Sequence, residues 1–182
     1  MQACWRLTMI YEMHLKNYDN VWQVENEFRR LKIKSYCYQI QTFHNLTKFL
    51  DTIKFGLGND TEWMNDYWGN RLVRQIDGLY GWQQERYSGC SNKQKLRALV
   101  DEHFPNAQKD DSVIRIFDFT PEMFPKWEFD QPRRKLRLEE IEGTLVNDFQ
   151  DQYGRTPVGN IGKVRSQHAV NQFTELFDII NK

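Results

Sequence analysis

The sequence predicts a mixed α+β fold that is rich in helix: an N-terminal strand-helix-strand-helix unit is followed by a mainly helical part with one further strand. Three observations predict it: alternating apolar and polar residues near the start, helical spacing of apolar residues in the middle, and one apolar strand pattern beyond residue 110. At 182 residues the chain can bury a core without metal or disulfide support.

The first two elements are a strand and a helix. Apolar and polar residues alternate from Trp5 to Leu15, and a period of two over this length is typical of a half-buried strand. Asp19 or Asn20 is then placed to cap a helix, whose apolar residues recur at helical spacing as far as Leu31.

The next two elements repeat this order. The segment KIKSYCYQIQ, residues 32 to 41, predicts a second strand at about 33 to 42. A stripe with the spacing i, i+3, i+4, i+7 then predicts a helix, which Gly56 and Gly58 are placed to stop. The stripe consists of Leu46, Phe49, Leu50 and Ile53.

The middle of the chain, residues 59–105, contains no strand pattern. Its apolar residues predict a long helix from about Asp60 to Ile76, interrupted near Gly69. The segment DGLYGW, residues 77 to 82, predicts a break. A second helix follows, with an apolar face at residues 96–100, and Pro105 ends it.

The last part of the chain begins with VIRIFDF, residues 113 to 119, which predicts a strand. Thr120-Pro121-Glu122 is a plausible short helix start. Helical spacing from Leu138 to Tyr153, with Gly154 just beyond, predicts a helix, and residues 170–180 predict another. We therefore divide the chain into a unit at 1–58 and a mainly helical part at 59–182, with one continuous domain, 1–182, as the alternative.

The charges and cysteines exclude several classes of protein. Lys plus Arg and Asp plus Glu each total 25, so no whole-chain field draws the protein to nucleic acid or anionic lipid. Cys4, Cys37 and Cys90 lack metal-ligand spacing and are interpreted as reduced thiols. With no secretory leader pattern and no long apolar run, we expect a cytoplasmic protein that has no membrane contact, metal or cofactor.

The most motif-like segment is TPVGNIGKVRSQH, residues 156 to 168. It lacks the Walker A spacing, although its GxxG also occurs between the helices of KH domains. The favoured interpretation is a corner between two helices. The alternative is an anion-binding site for a partner, formed by Arg155, Gly159, Gly162, Lys163, Arg165 and His168.

Two other segments are candidates for partner binding. RRKLR at 133 to 137 puts Arg133, Arg134, Lys135 and Arg137 at a predicted helix start, where the helix dipole disfavours cations. The following glutamates can neutralise them as an ordinary solvated face. Trp63 and Trp68 lie in polar sequence, and exposed Trp with Arg is typical of interface hot spots.

No catalytic residue can be assigned from the sequence. His14, His44, His103 and His168 form no known signature. Asp118 with Glu122, Glu128 and Asp130 is a weak candidate for a nuclease metal site. An acid-base ribonuclease assembled from scattered His, Arg and Lys would leave no linear motif, so this class stays open.

These observations favour a non-enzymatic interaction protein that binds and modulates a protein or a ribonucleoprotein complex. An anti-defence inhibitor of the anti-CRISPR type, from a phage or other mobile element, fits this description, as do many small regulators. The alternative is a nucleic-acid-binding protein or nuclease that uses the basic clusters RRLKIK, at 29 to 34, and RRKLR, together with the Gly159–His168 loop. A homodimer through an exposed Trp-bearing helix is a further possibility.

Overall fold

The structure is a computed structural model that describes residues 9–44, 47–59, 71–80, 91–105, 107–121 and 131–160, with main chain only at 91–95 and 131–133. Within these ranges, four strands form one antiparallel sheet, and four helices pack on it. The mixed α+β class predicted from the sequence is confirmed. None of the helices described is long and apolar enough to cross a membrane.

The elements follow one another in the order strand, helix, two strands, two helices, strand, helix. They are β1 (Met9–His14), α1 (Val21–Leu31), β2 (Ser35–Phe43), β3 (Leu50–Asn59), α2 (Arg71–Tyr80), α3 (Ser91–His103), β4 (Ser112–Asp118) and α4 (Gln131–Tyr153). Short 3₁₀ turns follow β1, precede β4 and follow α4, the last at Val158–Asn160.

The sheet has the strand order β1-β4-β2-β3. Strand β4 pairs antiparallel with both neighbours, so that Asp118 lies opposite Met9 on one side and Tyr36 on the other. The last of the strands described is therefore inserted between the first two. The division at residue 58 and the single-domain alternative both remain predictions. The sheet, however, contains strands from both sides of residue 58.

Helices cover the two faces of the sheet. One face carries Tyr36, Tyr38, Ile114 and Ile116, and it packs against α1, α2 and α3 in the larger apolar cluster. The other face packs against α4, whose buried side chains meet those of β2, β3 and β4 in a second cluster. This cluster includes Cys37, Phe55, Leu57, Phe117, Leu138, Ile141, Leu145 and Phe149. The result is a three-layer arrangement of helices, sheet and helix.

Several boundaries predicted from the sequence are confirmed by local contacts. Asn20 caps α1, because its side-chain Oδ1 accepts a hydrogen bond from the Gln23 N–H at 3.1 Å. The alternation from Trp5 to Leu15 predicts a strand. The structure has this strand at Met9–His14, and residues 1–8 lie outside the described ranges. Helix α4 ends at Tyr153, and Gly154 follows in the left-handed conformation with φ of 68°.

Replacing Gly154 with alanine should lower the free energy of unfolding by about 1 kcal/mol, because a Cβ disfavours the left-handed conformation. A Cβ at this position would meet no atom within 4 Å, so the cost comes from the backbone alone. Urea unfolding measures it. Gly154→Asn should lose less, since asparagine tolerates this conformation, and equal stability of the alanine variant and the parent protein would contradict the backbone argument.

The helix predicted from Leu46 to Ile53 is wrong. Residues 50–59 form strand β3, paired with β2 through a bulge between Ile40 and Gln41. Gly56 and Gly58 lie inside this strand, where the rings of Tyr38 and Tyr36 lie across them: a Cβ at either glycine would come within 2.2 Å of the ring. Contact with a neighbouring strand, not a helix stop, therefore accounts for the two glycines.

The break predicted over residues 77 to 82 is also wrong for its first four residues. Helix α2 continues to Tyr80, and Asp77 and Leu79 are buried within it. Packing of this helix on the sheet outweighs the cost of Gly78 inside it. Residues 60–70, the first part of the predicted long helix, and residues 170–180, the predicted last helix, lie outside the description.

Candidate functional site

The predicted basic surface at the start of α4 is only partly exposed. Arg134 is fully buried, whereas Lys135 and Arg137 are exposed. Arg137 Nη1 donates to Glu140 Oε2 at 2.7 Å, and Lys135 Nζ lies 3.8 Å from Glu139 Oε1. The exposed cations therefore have carboxylate neighbours one helical turn away, as a solvated face would. The side chain of Arg133, and all of Trp63 and Trp68, lie outside the description.

The first half of the glycine loop packs against the edge of the sheet. A Cβ on Gly159 would lie 2.8 Å from Lys54 Cβ and 2.9 Å from Leu96 Cδ1, so only a glycine fits without displacing them. Asn160 is buried beside it. Its Oδ1 accepts from the Phe55 N–H at 2.8 Å, and its Nδ2 donates to the Phe55 carbonyl at 3.0 Å. This geometry favours the corner interpretation for the described half of the loop.

The remaining predicted anion-binding residues are not brought together by the part of the chain that is described. Gly162, Lys163, Arg165 and His168 lie outside it. Arg155 is described, and its Nη2 lies 2.6 and 2.7 Å from the two carboxylate oxygens of Asp51. An anionic ligand at Arg155 would compete with that carboxylate.

A different surface lies at this end of the molecule, and we call it the tip surface. It consists of Phe49, Leu50 and Asp51 where the β2–β3 connection enters β3, and of Tyr153 and Arg155 at and just after the end of α4. Phe49 is 74% exposed, Tyr153 47% and Leu50 43%. The Asp51–Arg155 ion pair joins the two segments. The sequence does not indicate this surface, because its apolar spacing places Phe49 and Leu50 on the buried face of a predicted helix.

Both segments of the tip surface are held in place by local contacts. In the β2–β3 connection, the His44 N–H donates to the Phe49 carbonyl at 2.9 Å, and the Lys48 N–H donates to the His44 carbonyl at 2.8 Å. In the last turn of α4, the centroids of the Tyr153 and Phe149 rings lie 4.5 Å apart, and just beyond the helix the Arg155 guanidinium lies over the same Phe149 ring. The exposed side chains are therefore presented by ordered main chain.

Asp118 is the one described residue of the acidic group considered as a nuclease metal site, and it has a structural role. Asp118 Oδ1 accepts from the Thr120 N–H at 2.8 Å, which turns the chain at the end of β4, and burial raises the pKa of this carboxyl. Glu122, Glu128 and Asp130 lie outside the description. No three potential metal ligands come together within the ranges described.

A polar row crosses the sheet on the face where α4 packs. Glu12 in β1 lies opposite Arg115 in β4, which lies opposite Gln39 in β2. Arg115 Nε donates to Glu12 Oε2 at 3.1 Å, and His14 Nε2 lies 2.9 Å from Glu12 Oε1. The Glu12 carboxylate, the His14 imidazole and the Arg115 guanidinium thus meet. Arg115 is about 100 positions away from the other two in the sequence, so no linear pattern could indicate this group.

The other described histidines form no such group. His44 packs edge-on against the ring of Phe104, with the ring centroids 5.3 Å apart, and His103 is exposed at the end of α3. The polar row and the tip surface are therefore the two candidate sites. No family model, no curated protein and no solved structure matches this chain.

Proposed function

We propose that the protein is a non-enzymatic interaction protein that binds a protein or ribonucleoprotein partner through the tip surface. The observation that carries the proposal is the exposure of Phe49, Leu50 and Tyr153 on two hydrogen-bonded segments that the Asp51–Arg155 ion pair joins. Large apolar side chains in such an arrangement are normally buried unless a partner covers them. We further propose that binding modulates the partner in the cytoplasm, an anti-defence inhibitor being one function of this class.

The composition of the tip surface supports a protein partner. Aromatic residues and arginine are enriched at the centres of protein interfaces, and a few such residues supply most of the binding energy. Phe49 and Tyr153 are the two aromatic anchors, and Arg155 lies beside them. Because Arg155 is already paired with Asp51, the surface has little net charge, and the apolar contact is the main attraction.

The basic surface at the start of α4 is a weaker candidate. Lys135 and Arg137 have glutamate neighbours and Arg134 is buried, which leaves little positive potential for a phosphate backbone. We therefore assign partner recognition to the opposite end of α4. Leu136 and Tyr153 are 17 residues apart in that helix, which separates the two surfaces by about 25 Å.

Changing Phe49 and Tyr153 together to alanine should lower affinity for the partner at least about tenfold, since hot-spot residues each contribute about 2 kcal/mol or more. The partner is first captured from a lysate with tagged protein, identified, purified and titrated against both forms by calorimetry. Nuclease treatment during capture distinguishes a protein partner from nucleic acid. Stability should change by less than about 0.5 kcal/mol for Phe49→Ala. Tyr153→Ala should cost about 0.5 to 1.5 kcal/mol more, because it removes the ring contact with Phe149.

Leu136→Ala provides the matched control. Leu136 is 56% exposed, but it lies at the other end of α4, so its truncation should leave affinity unchanged. Equal affinity of the Phe49/Tyr153 variant and the parent protein would show that the tip surface does not bind the partner. A partner that is lost on nuclease treatment, with binding abolished by Lys135→Glu and Arg137→Glu instead, would favour direct nucleic-acid binding.

A further inference from the structure

The outer side of helix α2 carries two arginines that have no carboxylate neighbour within the described ranges. Arg71 is exposed and Arg74 is half-buried, and they lie one turn apart on the side of α2 that faces away from the sheet. Every other accessible arginine whose side chain is described forms an ion pair with a carboxylate. These paired residues are Arg29, Arg30, Arg97, Arg115, Arg137 and Arg155. An external anion can therefore bind the two α2 arginines without displacing a described carboxylate.

Lys32, at the end of α1, is a third cation for which the described part of the chain provides no carboxylate. It is exposed, and it closes the helix in the left-handed conformation, with φ of 55°. Glycine is the residue usually found in this conformation at the end of a helix, because a Cβ disfavours it. Helix capping therefore does not account for a lysine at this position, whereas contact with an anionic ligand does.

Contacts along strand β2 bring the end of α1 close to the first half of α2. The Phe28 ring, in the last turn of α1, packs on the Tyr36 ring, with 5.3 Å between the ring centroids. The Tyr36 centroid lies 6.2 Å from that of Tyr38, whose hydroxyl donates to Gln75 Oε1 at 2.6 Å. The two helices also contact each other directly. Lys32 and the α2 arginines therefore lie over the same half of β2.

These side chains form a surface that we call the α2 surface, which consists of Lys32, Arg71, Arg74 and Gln75. Tyr38 occupies the amide oxygen of Gln75, so the amide nitrogen is the part left for a ligand. Asp77, the acidic residue of α2, is buried. The α2 surface thus offers positive charge and hydrogen-bond donors, which match a ligand that carries negative charge and acceptors.

We propose that the α2 surface binds the phosphate backbone of RNA. Arginine, lysine and glutamine are among the side chains that contact phosphates, and arginine matches the geometry of the phosphate oxygens. A nucleic acid carries its charges at a regular spacing, so cations on two adjacent helices can pair with successive phosphates of one strand. Such contacts do not read the bases, and binding is therefore independent of sequence. The choice of RNA over DNA rests on the proposed function, since it makes the partner a ribonucleoprotein.

Fluorescence anisotropy with a labelled single-stranded RNA of mixed sequence, repeated at several salt concentrations, tests the proposal. Three phosphate contacts should give a slope of about −2 for log K against log salt, since each contact on a single strand contributes about −0.7. Arg71→Gln combined with Arg74→Gln should weaken binding at least about tenfold, because hydrogen bonds to a charged group are lost. Polyglutamate at the same charge concentration as the RNA should compete poorly.

Lys32→Gly distinguishes a binding role from a structural one. Glycine suits the left-handed conformation at this position, so the variant should keep or raise the Tm. It should nevertheless weaken RNA binding and reduce the salt slope by about 0.7, because one phosphate contact is lost. Unchanged RNA affinity of this variant would contradict the role given to Lys32.

Lys135→Gln combined with Arg137→Gln is the matched control, because it removes two exposed cations from α4 on the other side of the sheet. It should leave RNA binding unchanged, as should Phe49→Ala on the tip surface, so this proposal and the tip surface fail independently. Near-UV circular dichroism first confirms that each variant is folded. No RNA binding at low salt, equal competition by polyglutamate, or an affinity that the Arg71/Arg74 variant does not change would overturn the proposal.

Capture with tagged protein from a lysate tests the choice of RNA. We expect the parent protein to retain nucleic acid that ribonuclease removes and deoxyribonuclease does not, and the Arg71/Arg74 variant to retain less of it. Retained nucleic acid that only deoxyribonuclease removes would contradict the assignment to RNA.

Discussion

Asn160→Leu should lower the free energy of unfolding by about 2 to 6 kcal/mol, since it leaves two buried main-chain groups unsatisfied at about 1 to 3 kcal/mol each. The Asn160 amide pairs with both the N–H and the carbonyl of Phe55, and its side chain is buried. Leucine has the same number and branching of side-chain heavy atoms, so the change removes the hydrogen bonds without leaving a cavity. Urea unfolding followed by fluorescence measures the loss.

The matched control is Asn17→Leu, which changes an exposed asparagine in the turn after β1 and should alter stability by less than about 0.5 kcal/mol. The Asn160 variant should also self-associate more readily. Phe55 belongs to an edge strand, whose open hydrogen-bonding groups are a template for another chain. A loss below about 1 kcal/mol would show that other groups replace the amide, and would contradict the role given to Asn160.

Gly58→Ala should destabilise the protein by about 3 kcal/mol, at the upper end of the usual cost of overpacking a core. The new Cβ would lie 2.2 Å from Cζ of the Tyr36 ring. That ring is fully buried and has little room to move. Its centroid lies 5.3 Å from the centroid of the Phe28 ring and 6.2 Å from that of the Tyr38 ring. Thermal unfolding followed by circular dichroism measures the effect.

A double-mutant cycle tests the cause. Tyr36→Leu alone should destabilise the protein by leaving a cavity, but combined with Gly58→Ala the losses should be less than additive by at least about 1 kcal/mol, because the shorter side chain makes room for the methyl group. Additive losses would mean that the alanine at position 58 destabilises the protein by some means other than contact with the Tyr36 ring. The same argument applies to Gly56 beneath Tyr38.

The sequence predicts most elements of this fold where local pattern and tertiary contact agree. The alternation around β1, the Asn20 cap and the glycine after α4 are local signals, and the structure confirms them. The prediction from the sequence fails at β3 and at the end of α2. Four apolar residues at helical spacing cannot be distinguished from a strand with a bulge, and the glycines of β3 are explained only by tyrosines of another strand.

The candidate sites could not be predicted for the same reason. Phe49 lies just before β3 and not on a helix, and Arg155 reaches Asp51 across about 100 residues of sequence. Glu12 and Arg115 are brought together by the insertion of β4. Arg134 looked like part of a surface charge cluster, yet it is buried, which a local charge count cannot indicate.

The position of β4 also bears on how the chain is made. Roughly 70 residues separate the end of β2 from β4, so at about 5 to 20 residues per second the ribosome completes β4 some 4 to 14 seconds after β2. During that interval β1 and β2 have no strand between them, and only the β2–β3 hairpin can form. The nascent chain therefore exposes unpaired strands to chaperones and to other nascent chains, and it completes its sheet only when residues 112–118 have emerged.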